Sequence, residues 1–407
     1  MTSPVRTILS DPALRLVTLL IVLFGCFACV GAPYLSLLAV EVFRLGNAGY
    51  AAILIASSVV TVAAAVGFGI IADQRANRRG IAVFCAVLCV AGVAVMVAAP
   101  SGVMLALAHA LILPAGGAMF GQLFALARLA ASGRPIPERD GIMAAVRAAF
   151  ALPFIIVLPA LAAAIRAGMP VTDLYTIMLA LGLALLGLVL WRWPRDGETD
   201  WSDRPSGLAF SASLREIAHA PVALRVALLG ILSCGSTLNI ALVGLVFTTT
   251  GGRPEADVAL FIGLFAGLEV PFMLATPLML RVLSRSQLIA AGAAIFALHL
   301  LLLTPLASTP YVWLLVLPAA CGGAIYLSVM VAYVQDLLGH RPGAGSSLMA
   351  VQRIFGDATA ATAFLIGTSL SGYGLAAVFA AVAAIFAAAA LLMIDAPQRQ
   401  SKNPFGA

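Results

Sequence analysis

The sequence contains few charged residues. Only 10% of its 407 residues are Asp, Glu, Lys or Arg, whereas 62% are apolar. A soluble fold of this composition would lack the polar surface that must face water, so a water-soluble globular domain is excluded. The composition instead indicates a chain embedded in the lipid bilayer, with room for a dozen spans of roughly 20 apolar residues each.

Lysine is almost absent, because Lys402 is the only one. A Walker-type phosphate loop needs a lysine after its glycines, so the chain is not a primary ATP-driven pump. Paired acidic motifs, a His-rich cluster and a phosphate-cradling Gly loop are also missing. We therefore predict no enzyme activity, no cofactor and no metal site. A sensor or assembly factor on a transporter fold stays open as a non-enzymatic alternative.

The six cysteines and the basic residues exclude two further functions. All six cysteines lie in apolar segments, where small soft side chains pack easily, so no disulfide is predicted and the pair Cys26 and Cys29 is interpreted as packing. The sequence pI is about 9.2, but the basic residues are scattered among short loops instead of gathered on one face. A nucleic-acid partner is therefore not expected.

Apolar runs, separated by charged or Pro/Gly-containing breaks, predict twelve membrane helices in two sets of six. The first set is predicted at 15–42, 47–72, 80–99, 102–129, 141–166 and 174–193, and the second at 223–249, 257–280, 287–306, 311–336, 346–370 and 374–393. The fold class is thus an all-α integral membrane protein. We predict an N-terminal six-helix bundle (1–193), a cytoplasmic linker with a short amphipathic helix (194–222), and a C-terminal bundle with a cytoplasmic tail (223–407).

The distribution of Lys and Arg predicts the orientation. The termini and the loops after the even-numbered predicted helices hold 18 basic residues, whereas the opposite loops hold three: Arg44, Arg166 and Arg253. Loops that stay in the cytoplasm carry the excess of positive charge. Both termini are therefore predicted to be cytoplasmic.

An internal duplication is visible at half the chain length. GIMAAVR, which ends at Arg147, aligns with SLMAVQR, which ends at Arg353, and both halves carry GGA, at 116–118 and 322–324. Repeats of this kind in corresponding helices indicate two homologous halves related by a pseudo-two-fold axis along the membrane normal. The substrate of such a protein is expected between the halves, near the middle of the membrane.

The loop after the second helix, GIIADQRANRRG, resembles the signature of the major facilitator superfamily. Its acidic and basic positions are Asp73, Arg75, Arg78 and Arg79. The segments QLFALAR (122–128), GLEVPFML (267–274) and YVQDL (333–337), with Arg147 and Arg353, are similar to the sugar efflux transporter (SET) family. The resemblance implies ion-driven export of sugars or sugar-like molecules across a bacterial inner membrane. It also implies that Asp73 and the three arginines form a conformational latch on the cytoplasmic side.

Ionisable residues inside the spans are the candidates for the mechanism, because a charge at the bilayer centre is costly unless it faces a cavity or has a partner. Glu269 is near the midplane of the eighth helix, and we predict that it couples transport to protons and pairs with Arg147. Arg353 and Asp357, four residues apart, can pair on one helix face, and Asp357 is a second coupling candidate. The alternative for each pair is that it only holds helices together.

Substrate contacts are predicted for polar and aromatic residues on the spans, because sugars need hydrogen-bonding groups and flat apolar faces. The predicted substrate-binding residues are Arg147, Gln122, Asn239, Glu269, Gln352, Arg353, Tyr34, Phe120, Tyr326 and Tyr333. The sequence thus predicts a secondary transporter in the lipid bilayer that exports a sugar or glycoside by alternating access, with the proton as coupling ion. The alternative is a multidrug or other metabolite exporter of the same superfamily.

Overall fold

The computed structural model describes residues 4–75, 78–194, 220–330, 333–334 and 342–400. Every regular element within these ranges is helical. After a short helix at Pro4–Ser10, the N-terminal part contains α1 (Pro12–Val42), α2 (Gly46–Arg75), α3 (Arg78–Ala98), α4 (Gly102–Ala130), α5 (Ile136–Arg166) and α6 (Leu174–Arg192). The helices in the C-terminal part are α7 (Ala220–Leu245), α8 (Ala256–Met279), α9 (Arg285–Leu306), α10 (Pro310–Met330), α11 (Pro342–Leu370) and α12 (Tyr373–Gln400).

Eleven helices of the described residues are long and apolar enough to cross a membrane. The protein is therefore a multi-pass membrane protein, as its composition predicts. The helix predicted at 346–370 is present as α11, which has 29 residues, but α11 is not among the eleven. Its apolar stretch is interrupted by Arg353, Asp357 and several threonines, which lower its mean hydropathy.

Local signals explain where several helices begin. The Asp11 carboxylate accepts hydrogen bonds from the backbone N–H groups of Ala13, at 2.9 Å, and Leu14, at 3.2 Å, and thereby caps α1. A capping box between Ser284 and Gln287 begins α9. Most predicted ends that fall on described residues agree with these helices to within four residues. The start of α5 and the end of α12 differ by five and seven residues, because both helices continue into polar sequence.

The described residues form two units. The first comprises Met1–Leu45 and Val59–Leu208, and the second comprises Gly46–Ser58 and Ala209–Ala407. The beginning of α2 thus belongs to the second unit, where the ring of Tyr50 meets that of Phe364 edge-on at 5.2 Å. Most of the predicted linker at 194–222, including its amphipathic helix, lies outside the described residues, and the predicted domain boundaries stay predictions.

Irregular helix ends recur in the two parts of the chain. A five-residue π-helical turn closes α1 at Leu38–Val42, and another follows α7 at Val246–Thr250. The second residue after each turn has a positive φ, which is 53° at Arg44 and 61° at Gly252, and that of Gly46 near Arg44 is also positive, at 69°. The two positions lie about half the chain apart, so the same backbone turn occurs twice.

A second pair of turns shows the same correspondence. Gly168, between α5 and α6, has φ 102°, and Gly372, between α11 and α12, has φ 98°. Only glycine adopts such values without strain, which explains the residue type at both positions. These turns thus recur at about the spacing of the sequence repeats, and the predicted division into two homologous halves stays a prediction.

The repeated GGA motifs bring neighbouring helices close together. In the first unit Gly116 of α4 lies against Cys89 of α3, and in the second unit Gly322 of α10 lies against Gly292 and Phe296 of α9. A Cβ atom at either glycine would approach these neighbours to 3.0 Å or less. Small residues permit this close approach of helices in lipid. All six cysteines are free, in agreement with the packing interpretation.

Candidate functional site

Glu269 lies in the middle of α8 and is buried. It follows Ala256, the first residue of α8, by thirteen positions, which corresponds to about 20 Å along a helix. Its residue exposure is 9%. Within the described residues the structure gives the Glu269 carboxylate no hydrogen bond or ion pair. A carboxyl group in this situation needs water, a cation or a proton.

The space for the Glu269 carboxylate is provided by Gly323 of α10. A Cβ atom added at Gly323 would collide with Glu269 Oε1 and would also touch the ring of Phe265. The adjacent Gly322 faces α9 instead. The two adjacent glycines therefore have different neighbours, because Gly322 packs against a helix and Gly323 lies against the ionisable side chain of Glu269.

Further along the same two helices, a polar contact joins α8 to α10. The hydroxyl groups of Thr276 and Ser328 are 3.2 Å apart. The Ser328 hydroxyl donates its proton to the backbone carbonyl of Ala324 at 2.6 Å, so it accepts in the contact with Thr276, whose hydroxyl also lies 3.2 Å from the carbonyl of Phe272. Ser328 belongs to the π-helical turn Tyr326–Met330 at the end of α10. Such turns inside helices are frequent at functional sites.

Asp357 of α11 is the centre of a second polar cluster. Its Oδ1 accepts a hydrogen bond from Thr237 of α7 at 2.8 Å, and its Oδ2 accepts one from Arg353 Nε at 3.3 Å. The predicted pairing of Arg353 with Asp357 is thus present. The sequence did not indicate Thr237, because it is distant along the chain and one of many threonines.

Asn239 of α7 is buried and forms a hydrogen bond with a histidine that the sequence left unassigned. Its Oδ1 lies 2.7 Å from Nε2 of His299, and their exposures are 1% and 0%. Rings of Phe261 and Phe296 flank the His299 imidazole. The Asn239 side chain thus connects α7 to α9 in the second unit, and its role as a substrate ligand stays a prediction.

Tyr333 forms part of a charged cluster with Asp395 of α12 and Arg225 of α7. Its hydroxyl donates to both oxygens of the Asp395 carboxylate, at 3.0 and 2.9 Å. Arg225 forms an ion pair with the same carboxylate at 3.2 Å. The side chains of Arg225 and Asp395 are only 10% and 13% exposed. Neither charged residue was singled out from the sequence, because both lie at the ends of apolar segments.

The first unit holds four of the predicted substrate contacts. Arg147 of α5 is exposed and has no ion pair among the described residues. Phe120 of α4 is 39% exposed and packs against Phe124 and Phe150, with ring centroids 4.6 and 4.9 Å away. Tyr34 and Gln122 are buried, at 0% and 3%.

The remaining predicted residues of the second unit differ in exposure. Tyr326 is buried at 7%, and its hydroxyl has no partner among the described residues. Gln352 of α11 is half-buried. Arg147 belongs to the first unit and Glu269 to the second, so the predicted pair between them stays a prediction.

The predicted latch is only partly described. The side chains of Asp73 and Arg75 lie outside the described residues. Arg79 donates through Nη2 to the backbone carbonyl of Leu190, at the end of α6, at 3.0 Å. Arg78 also interacts with another residue. In the part of the chain that the structure describes, no group of His, Cys, Asp and Glu has the arrangement of a metal site.

The chain is similar to a known protein over nearly its whole length. A protein of Deinococcus radiodurans that is provisionally named a sugar efflux transporter is 25% identical over 389 residues, which are 94% of this chain and 97% of that protein. No family model matches the sequence. The resemblance to sugar efflux transporters that the motifs indicate is thereby confirmed.

Solved transporter structures share the fold. A point mutant of the nucleoside transporter NupG superposes with a TM-score of 0.74 at 15% identity, over 93% of this chain and 99% of that chain. A D-xylose-proton symporter superposes with a TM-score of 0.68, also at 15% identity, over 93% and 96%. The fold is that of a membrane transporter. At these identities the structures establish the fold and leave the substrate to other arguments.

Proposed function

We propose that this transporter is proton-coupled and exports sugars or sugar-like molecules by alternating access. It would lie in a bacterial inner membrane with both termini in the cytoplasm. The name and the full-length coverage of the Deinococcus radiodurans relative support sugar export. The orientation is supported by the basic residues, of which 18 lie on the side of the termini and three in the opposite loops. Drugs or other metabolites are the alternative cargo.

The proposal includes twelve spans in two homologous halves, with α11 as the twelfth. The paired turns at Arg44 and Gly252 and at Gly168 and Gly372 support this division. The low hydropathy of α11 fits a helix whose polar face is covered by protein or water. Polar residues inside a membrane are expected on such faces.

The burial of Glu269 in the middle of α8 is the observation that supports proton coupling. An ionised carboxylate inside the membrane is costly unless a cation or water accompanies it. In one conformation Arg147 stabilises the carboxylate and the proton leaves. In the other, Arg147 is distant or engaged with sugar hydroxyls, and Glu269 takes up a proton. Because the two conformations open to opposite sides, proton uptake and substrate export are linked.

The decisive experiment uses the purified protein in lipid vesicles with an imposed pH difference. Labelled lactose, D-xylose, uridine and ethidium are offered in turn, so that sugar, nucleoside and drug-like cargo are compared. We expect the wild type to concentrate a sugar. Concentration of ethidium alone would contradict sugar export and favour the drug alternative.

The Glu269→Gln variant mimics the protonated carboxyl group. It should keep substrate binding and downhill exchange, whereas accumulation against the gradient should disappear. Glu255→Gln, at the residue that precedes the same helix, is the matched control and should accumulate substrate as the wild type does. Arg147→Ala should weaken substrate binding as well. Glu269→Gln vesicles that still concentrate the sugar would show that the coupling carboxylate is another residue.

A further inference from the structure

The two oxygens of Asp357 have separate partners on two helices. Oδ1 accepts from Thr237 of α7 at 2.8 Å, and Oδ2 accepts from Arg353 of its own helix at 3.3 Å. The Asp357 side chain is 9% exposed, whereas that of Arg353 is 63% exposed. The carboxylate is therefore fixed inside the protein, and the guanidinium extends away from it.

Only one edge of the Arg353 guanidinium is used. The bond to Asp357 involves Nε, and neither Nη1 nor Nη2 has a partner among the described residues. A guanidinium carries five N–H donors in a rigid planar fork. With Nε held, the four N–H bonds of Nη1 and Nη2 keep a defined direction and remain free to bind a ligand.

The position of Asp357 is itself defined by the contact between α7 and α11. Gly230 of α7 lies directly against the backbone of Gln352 and the side chain of Phe355, and Gly356 lies against Ser233. A Cβ atom at either glycine would require the helices to move apart. This close crossing brings Thr237, two turns after Gly230, to the carboxylate of Asp357.

The other half of the chain lacks the carboxylate. Arg147 is the aligned counterpart of Arg353, but the residue four positions after Arg147 is Ala151. Arg147 is exposed and unpaired within the described residues. Of the two aligned arginines, therefore, only Arg353 has its charge balanced by a neighbour on its own helix.

We propose that Asp357 is a positioning residue that orients Arg353 toward the substrate, with Thr237 as its second anchor. The carboxylate also balances the arginine charge, so the exposed fork favours neutral hydroxyl groups over an anionic ligand. This inference rests on the sugar transport proposed above and specifies its substrate class as a neutral polyhydroxylated molecule. It assigns Asp357 a role other than proton coupling.

The test compares lactose with lactobionate, in which one sugar carries a carboxylate in place of the reducing end. Asp357→Asn should raise the KM for labelled lactose about tenfold, the loss expected for a charge-assisted hydrogen bond. The maximal accumulation of lactose against its gradient should be retained. Lactobionate, a poor competitor of the wild type, should compete better with this variant, because the arginine charge is no longer balanced.

Matched variants separate positioning from general damage. Thr237→Val should raise the KM by a smaller factor, whereas Thr359→Val on α11 should have no effect, because the Thr359 hydroxyl bonds only to the carbonyl of Phe355 in its own helix. Arg353→Lys keeps the charge but loses the fork. The double variant with Arg353→Lys and Asp357→Asn should have a KM for lactose close to that of either single variant, because both substitutions remove the same interaction.

Three results would overturn the proposal. Asp357→Asn vesicles that exchange lactose but cannot concentrate it would make Asp357 the coupling carboxylate. An unchanged KM together with unchanged lactobionate competition would show that the pair only holds helices together. If the wild type carries no sugar, the proposed function fails. In that case the positioning role is tested by the rate at which phenylglyoxal modifies Arg353. Equal rates in the wild type and in Asp357→Asn would exclude the positioning role.

Discussion

At the scale of single residues, the candidate site depends on neighbours that the sequence does not reveal. The depth of Glu269 follows from counting residues along an apolar helix, so its burial could be predicted. Its contact with Gly323 could not, because that contact depends on how α8 and α10 are aligned in space. The bond between Asn239 and His299 joins residues 60 positions apart and was missed for the same reason.

Gly323 offers a residue-scale prediction. Gly323→Ala introduces a methyl group where the Glu269 carboxylate lies, so the carboxylate must move. We expect accumulation against the gradient to fall at least tenfold, with a smaller change in thermal stability. The measurement is lactose accumulation in vesicles beside the melting temperature in detergent.

The neighbouring glycine supplies the control for that prediction. Gly322→Ala presses against Phe296 and the backbone of Gly292, so it should lower the melting temperature without a specific loss of coupling. If both variants lose stability and coupling in the same proportion, Gly323 has only a packing role.

At the scale of helices, the sequence predicted the elements better than their junctions. Apolar runs identified the spans, because lipid imposes a length and a composition on them. The predicted helix at 141–166 begins earlier, at Ile136, because its first turn is polar and lies outside the apolar run. The cluster of Arg225, Tyr333 and Asp395 was not predicted, since it joins helix ends that are distant in the chain.

This cluster leads to a prediction about Tyr333. Tyr333→Phe removes the hydroxyl that donates to Asp395, so stability should fall by about 1 kcal/mol, the usual contribution of one hydrogen bond. Asp395→Asn should cost more, about 3 kcal/mol, because it removes the charge of a buried carboxylate that forms an ion pair with Arg225 and accepts from Tyr333. Denaturation in detergent measures both changes.

Transport kinetics distinguish this structural role from the substrate contact predicted for Tyr333. For a purely structural hydroxyl, the KM for lactose should be the same in Tyr333→Phe and the wild type. Tyr311→Phe is a suitable control, because Tyr311 is 63% exposed. A raised KM without loss of stability would instead place Tyr333 in the substrate site.

At the scale of the whole molecule, the sequence predicts an orientation that labelling can test. In a variant without the native cysteines, Asp200→Cys and Lys402→Cys should be protected from a membrane-impermeant thiol reagent added to intact cells. Ala167→Cys, in the turn after α5, should react. The reason is the excess of positive charge predicted to stay in the cytoplasm. Reaction at positions 200 and 402 with protection at 167 would invert the topology.

The paired turns after α1 and α7 bear on how the two halves can be compared. The backbone has a left-handed conformation at both positions, yet one residue is Arg44 and the other is Gly252. For arginine this conformation costs roughly 1 kcal/mol, whereas glycine adopts it freely. Gly46, two residues after Arg44, also has a positive φ, of 69°, so a glycine stands close to the first turn as well. If the two halves are homologous as proposed, the handedness of the backbone provides an alignment landmark between them that does not depend on side-chain identity.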